Sequence, residues 1–278
     1  MSKKKQNGIL MRLIQGALIG TGAILPGISG GVLMVIFGIY QPIMSLLAHP
    51  FKTFKENMKL LLPVIIGVGL GVLGISKILG FLLDAYPDQS VCLFVGLIGG
   101  MLPSLFREAG EKGRGKSSWV ALIVAFIVIM ALLLSLQVIQ VEIVPNLWWY
   151  LFCGFCLALS VIAPGMSFST LLMPLGLYTP FIAGIGDLNF SILIPAGIGA
   201  VLTVILFAKA VTTLLDKHYA PVFHGIIGIV IAATLVIIPF QSFTAGVGVA
   251  LINIACIAVG VIAALALDKF NSSVEKPD

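Results

Sequence analysis

The chain has 278 residues, 59% of them hydrophobic and only 10% charged, with a mean hydropathy of +1.15. A soluble domain carries about 25% charged residues, so a water-soluble globular fold is excluded and a polytopic, all-α membrane protein is indicated. The formal charge of +5 does not mark a nucleic-acid binder, because the basic residues sort by position along the chain and form no patch.

Hydropathy and helix breakers predict ten apolar segments, at 9–25, 30–47, 60–84, 90–106, 118–137, 147–163, 168–186, 190–214, 221–240 and 245–267. Segment one follows Met-Ser-Lys-Lys-Lys. No small-residue cleavage site leads into a soluble domain, so it reads as a retained segment. Segments one and two are separated by Pro26-Gly27-Ile28-Ser29-Gly30-Gly31, a run of helix breakers at membrane depth. Such a break is tolerated only where protein or a water-filled cavity satisfies the freed backbone. About 16 residues precede Pro26, roughly 24 Å of helix. The pair is either a re-entrant hairpin or two short spans.

The basic residues then orient the chain. Lys3, Lys4, Lys5 and Arg12 open segment one, and Lys52, Lys55 and Lys59 follow segment two. Arg107, Lys112, Arg114 and Lys116 follow segment four, Lys209 and Lys217 close segment eight, and Lys269 and Lys276 follow segment ten. These lie on one side if each pair of segments returns the chain to its starting face. The opposite loops hold Asp84, Asp88, Glu142 and Asp187. The positive-inside rule then places both termini in the cytoplasm. Trp119 at one face and Trp148, Trp149 and Tyr150 at the other fit interfacial anchors.

The chain repeats itself. Shifted by 138 positions, 16–42 falls on 154–180 with Pro26/Pro164, Gly27/Gly165, Ser29/Ser167, Gly38/Gly176, Tyr40/Tyr178 and Pro42/Pro180 identical. Farther on, a shift of 132 pairs Pro63/Pro195, Gly67/Gly199, Lys77/Lys209, Leu83/Leu215, Asp84/Asp216 and Gly96/Gly228. Repeat one is 1–140, with the broken pair 9–47, and repeat two is 141–278, with the broken pair 147–186. Five segments per repeat make the second copy run upside down. Inverted-topology repeats with interrupted helices are a pattern of secondary transporters.

The candidate substrate site follows from the breaks. Pro26 ends one arm, Gly27 relaxes the torsions, and Ser29, Gly30 and Gly31 open the next. Free N–H groups at a helix start favour an anion. Pro164, Gly165, Ser167, Ser169 and Thr170 form the matching turn. The structural alternative is a packing kink. Lys77 and Lys209, one toward each membrane face, suit an anionic headgroup entering on one side and leaving on the other, or else snorkel. Arg12 and Arg107 are further cations on the cytoplasmic side. Cys153 and Cys156 lie in an apolar helix and read as small buried residues. The three histidines show no metal-ligand spacing, and no nucleotide motif appears, so no cofactor or metal is expected.

The stretch Arg12–Tyr40 and its partner "APGMSFSTLLMPLGLY" at 163–178 resemble the bacterial polyprenyl-phosphate translocases, and the resemblance spans essentially the whole chain. The second motif carries Phe168 where that family has a small residue. The resemblance implies return of undecaprenyl phosphate, a polyprenyl phosphate lipid, from the outer to the inner leaflet for reuse in wall-polymer synthesis. A coupling ion, proton or sodium, is compatible with that role. A transporter of a small anion or organic acid would use the same turns and lysines. Undecaprenyl-pyrophosphate phosphatases also carry a Pro-Gly-x-Ser turn, but both turns here lack its following arginine. No paired glutamates lie in an apolar segment, so no catalysis is expected.

Overall fold

The computed structural model describes residues 8–26, 30, 33–34, 37–39, 42–43, 45–46, 50–139, 143–162 and 167–273. Within these, the side chains of 50–56, 208–209, 212, 216 and 270–273 are not described. Among the described residues every named element is helical.

Helix α1 (Ile9–Ile24) has 16 residues, about 24 Å of rise against a hydrocarbon core of about 30 Å. Helix α2 (Pro50–Ala85) is broken at Asn57 and carries Pro63 inside it. Helices α3 (Pro87–Ala109) and α4 (Lys116–Val138) follow, then α5 (Leu147–Ile162). Helix α6 (Phe168–Leu172) runs into a 3-10 turn at Met173–Leu175, and α7 (Tyr178–Gly186) follows. Helix α8 (Phe190–Ile237) spans 48 residues with one break, at His218, and α9 (Val247–Ser273) closes the fold.

Six helical stretches are long and apolar enough to cross a bilayer: Asn57–Ala85, Pro87–Ala109, Lys116–Val138, Phe190–Phe207, Lys217–Ile237 and Val247–Lys269. The pair Phe168–Leu175 and Tyr178–Gly186 passes the same test jointly, but its halves diverge by 116°. Two expectations therefore change in detail. Segment 168–186, read as one apolar run, is bent, because Gly176 adopts φ +68° and ψ 8°, left-handed torsions that end the preceding 3-10 turn. Segments eight and nine, expected to be parted by a loop at 215–220, are one helix interrupted only at His218 (φ −134°, ψ 43°). A straight 48-residue helix would reach about 72 Å, more than twice the hydrocarbon thickness. One non-helical residue is enough to separate two spans.

The helices meet backbone to backbone through glycine. A Cβ on Gly16 would strike the Val64 carbonyl and one on Gly67 the Leu13 carbonyl, which seats α1 on α2. Gly154 and Gly199 do the same at the carbonyls of Ala196 and Leu151, which seats α5 on the first arm of α8. Gly96 meets Ile257 and Gly260 meets Leu93, joining α3 to α9, while Gly228 meets Leu122, joining the second arm of α8 to α4. Small residues permit this approach, and packing inside a bilayer relies on it because lipid is as apolar as the helix faces.

The largest core lies around the α6–α7 bend. Phe168, Leu172, Leu177, Tyr178, Phe181 and Ile182 are buried there against Ile24 of α1, Leu79 and Leu83 of α2, and Phe94 and Leu97 of α3. At the periphery α4 leaves Ile123, Ile127 and Val128 exposed, as a lipid-facing helix does.

Candidate functional site: two turns and a cavity

At the first turn α1 ends at Ile24. Leu25 takes extended torsions (φ −63°, ψ 129°) and returns its N–H to the Thr21 carbonyl. Pro26 is buried. Gly27, Ser29 and Gly31 lie outside the described residues. Gly30 is described, and a Cβ on it would lie 3.0 Å from the Ala23 Cβ and 3.1 Å from the Ile19 carbonyl. The chain has thus reversed against the last turns of α1. It keeps to that course: Met34 and Ile39 share a buried cluster with Ile19 of α1 and Val64 of α2. Past Gly38 (φ +66°) the Ile39 N–H bonds back to the Met34 carbonyl at 2.8 Å.

At the second turn Pro164 and Gly165 lie outside the described residues. Ser167 is extended (φ −115°, ψ 130°) and stands at the start of α6. Its Oγ lies 2.6 Å from Oγ of Ser169, and Thr170 Oγ1 donates to the Ser167 carbonyl at 2.6 Å. Ser169 and Thr170 are buried. Ser167 is half-buried, and the three hydroxyls form one polar cluster in which buried groups find hydrogen-bond partners. Helix α6 has only five residues, so it accumulates little dipole, and side-chain hydroxyls dominate the chemistry of this turn. Phe168 points into the core, edge-on to Phe181 with centroids 6.0 Å apart and 6.1 Å from the Tyr178 ring.

One residue links the two turns. Tyr178, 1% exposed, donates its hydroxyl to the Ile24 carbonyl at 3.0 Å. That carbonyl is in the last turn of α1, where the intrahelical partners run out. Sequence reasoning paired Tyr40 with Tyr178 without assigning either a role. The signal was the identity Gly-x-Tyr-x-Pro at both 38–42 and 176–180.

Three of the four candidate cations have described side chains. Arg12 bonds to Gln15 within α1 at 3.2 Å. Arg107, in the last turn of α3, bonds Asp268 of α9 at 2.7 and 2.9 Å and Ser104 at 3.2 Å. It staples α3 to α9. Lys77 is exposed on α2, its Cγ 3.3 Å from where a Cβ on Gly186 would sit, so its stem lies along the end of α7. Lys209 lies in α8 and its side chain is outside the described residues. All four cysteines are free, with Cys153 and Cys156 buried. Among the described residues no three His, Cys, Asp or Glu side chains gather as a metal site.

A cavity of about 330 Å³ opens beside the α6–α7 bend, where six elements converge: α2, α3, α4, the 3-10 turn, α7 and α8. Leu83, Val91, Met173 and Ile237 give it apolar walls, and Gln137, Thr179 and the Gly176 corner give it polar points. No sequence feature had marked Gln137 or Thr179.

Buried hydroxyls, a bent helix pair and a mostly apolar cavity within a bundle of apolar spans define a multi-span helical membrane protein. Within that class the undecaprenyl phosphate translocase-like family model matches residues 1–112 and 48–250, and the chain belongs to that family. It is 23% identical over 282 residues to the polyprenyl-phosphate transporter of Staphylococcus aureus (strain NCTC 8325 / PS 47), covering 95% of this chain and 98% of that protein. It is 36% identical over 94 residues to the polyprenyl-phosphate transporter of Vibrio cholerae serotype O1 (strain ATCC 39315 / El Tor Inaba N16961), covering 34% of this chain and 29% of that one. No solved structure matches the chain.

Proposed function

We propose that this protein moves a polyprenyl phosphate, undecaprenyl phosphate by its family, from the outer to the cytoplasmic leaflet, returning the carrier lipid for cell-envelope synthesis such as that of peptidoglycan. The observation that carries the reading is kinship along nearly the full length with a protein named polyprenyl-phosphate transporter. The physics fits the substrate. An ionised phosphate would lose tens of kcal/mol of hydration in hydrocarbon by the Born estimate, whereas an isoprenoid tail is at home in lipid. A carrier need give only the headgroup a polar path.

The mechanism is alternating access between two inverted repeats, 1–140 and 141–278. Contacts spaced as the sequence shifts require support this. Gly16 on Val64 and Gly67 on Leu13 recur as Gly154 on Ala196 and Gly199 on Leu151. Gly96 of α3 on Ile257 of α9 is answered, with the repeats exchanged, by Gly228 of α8 on Leu122 of α4, although Leu122 and Ile257 stand 135 positions apart rather than 132 or 138. The corner at Tyr86 (φ −139°, ψ 61°) recurs at His218 (φ −134°, ψ 43°). Gly38 and Gly176 share left-handed torsions, and the bond from Ile39 to Met34 recurs from Leu177 to Leu172 at 3.0 Å. Each repeat opens on a re-entrant hairpin, the first supported by Gly30 lying back on α1.

The end of the bundle with Arg107, Lys112 and Lys217 faces the cytoplasm, with both termini, and the cavity faces outward. The headgroup passes the turns Pro26–Gly31 and Pro164–Thr170. Ser29, Ser167, Ser169 and Thr170 carry hydroxyls there, and Gly27, Gly30, Gly31 and Gly165 add no side chain. Lys77 attracts the phosphate on the outer side and Lys209 on the inner.

A displacement experiment separates this reading from transport of a small anion. A fluorescent polyprenyl phosphate bound to the purified protein should be displaced by unlabelled polyprenyl phosphate, and at the same concentration by neither polyprenol nor inorganic phosphate. Displacement by inorganic phosphate or an organic acid alone would transfer the assignment to the small-anion class.

A further inference from the structure

The two ends of the bundle differ in a way that the two-repeat reading makes informative, and the inference below rests on that reading. The outer cavity is walled by Leu83, Val91 and Ile237. Under the 132-position shift their counterparts are Leu215, Phe223 and Leu105. They are buried together in one apolar cluster at the opposite end, with exposures of 9%, 0% and 5%. Aromatic contacts roof the cluster: Tyr219 lies on Phe223 with centroids 4.9 Å apart, and the Lys112 ammonium sits 4.6 Å above the Tyr219 ring.

Ile98 of α3 and Val230 of α8, themselves 132 positions apart, share a single buried cluster midway between these ends. A contact between two residues that are each other's counterparts lies on the axis relating the halves. The cavity and the closed cluster therefore flank one axis. In an inverted-repeat carrier the two conformations exchange the local structures of the two halves. What is open at one end here must be closed at the other.

We infer that the structure is the outward-facing state, that the cavity beside the α6–α7 bend admits the headgroup and first isoprene units of the lipid, and that Leu105, Leu215 and Phe223 form the cytoplasmic gate. The cavity chemistry suits that occupant. Its walls are apolar, its volume is at the small end of ligand pockets, and Gln137, Thr179 and the Gly176 corner supply its polar points. Opening the gate parts α3 from α8, whereas the glycine-seated pairs α3–α9 and α4–α8 move as units.

The test cross-links the gate. Leu105→Cys and Phe223→Cys are introduced into the full chain, reconstituted in vesicles and joined by a short, cleavable thiol reagent. The parent chain, whose own cysteines are mostly buried, sets the background. Cross-linking should slow movement of a fluorescent polyprenyl phosphate at least tenfold, and cleavage should restore it. Thr179→Cys should meanwhile stay open to an impermeant maleimide added outside. Unchanged lipid movement in the cross-linked protein overturns the gate. If the double variant does not fold, Leu215→Cys serves alone: a maleimide on the cytoplasmic side should label it only when polyprenyl phosphate is present. Labelling that ignores the lipid overturns the gate. A parent chain that moves no lipid defeats the transport reading and the gate with it, whereas a working parent with an indifferent cross-link defeats the gate alone.

Discussion

At Gly38 the chain turns with φ +66°, and at Gly176 with φ +68°. Eight residues before each turn the two halves part company. Gly30 lies bare against the Ala23 Cβ, while Phe168 buries a whole ring between Tyr178 and Phe181. The same division runs through the molecule. What the halves share is backbone: a left-handed glycine, a carbonyl where a Cβ would sit, a corner of similar torsions. Where they differ, the side chains differ. Arg107 and Ser104 bind Asp268 at one end, whereas the position matching Ser104 is Val236, a wall of the cavity. Steric necessity keeps the first set in both halves. The second set is free to differ between the two ends of the bundle.

The strongest way to break this comparison is to fill the shared contacts. Gly67→Leu drives a side chain at the Leu13 carbonyl and Gly199→Leu at the Leu151 carbonyl. Overpacking of this kind costs about 1–3 kcal/mol or more, so both variants should lose monodisperse protein on gel filtration to a similar degree. A tolerated Gly199→Leu beside a ruined Gly67→Leu would mean that the two contacts are not equivalents.

Tyr178→Phe comes next. It strands the buried Ile24 carbonyl, which costs about 1–3 kcal/mol, and melting in detergent should show the loss. Gly38→Val and Gly176→Val place a β-branched residue in left-handed torsions at about 1–2 kcal/mol each. Nearly equal falls in melting temperature would sharpen the correspondence, and a clear difference would weaken it. Ser167→Ala with Ser169→Ala removes a hydroxyl pair worth about 0.5–1.5 kcal/mol. Lipid movement should drop far more than stability; a drop in stability alone would make the pair structural. Arg107→Ala should be mildest. Arg107 is 60% exposed, and exposed ion pairs contribute about 1 kcal/mol at most, so a melt should barely register it.

The apolar spans were legible because their signals are local or periodic. Segments 90–106 and 118–137 lie inside observed helices, and 245–267 begins two residues before the helix Val247–Ser273. The bend at Gly176 was written in the Gly-x-Tyr-x-Pro identity, but a glycine's torsion depends on what encloses it, and a hydropathy window averages over it. The continuity of α8 across His218 was hidden because Asp216, Lys217 and His218 look like a loop, although a single non-helical residue suffices. Arg107 read as a free cation because its partner stands 161 positions away. The polar cluster at Ser167 and Ser169 was visible as residue types, and its geometry emerged only once Phe168 was seen to turn into the core.

Leaflet-resolved flipping tests the central claim most directly. Fluorescent undecaprenyl phosphate is incorporated into proteoliposomes, an impermeant reductant quenches the outer leaflet, and the protected fraction is followed in time. Wild-type protein should turn slow quenching into rapid loss of the protected pool, and the Ser167→Ala, Ser169→Ala variant, folded by its melt, should fall back toward empty vesicles. Wild-type protein that is folded and correctly inserted, yet quenches no faster than empty vesicles, would contradict the account.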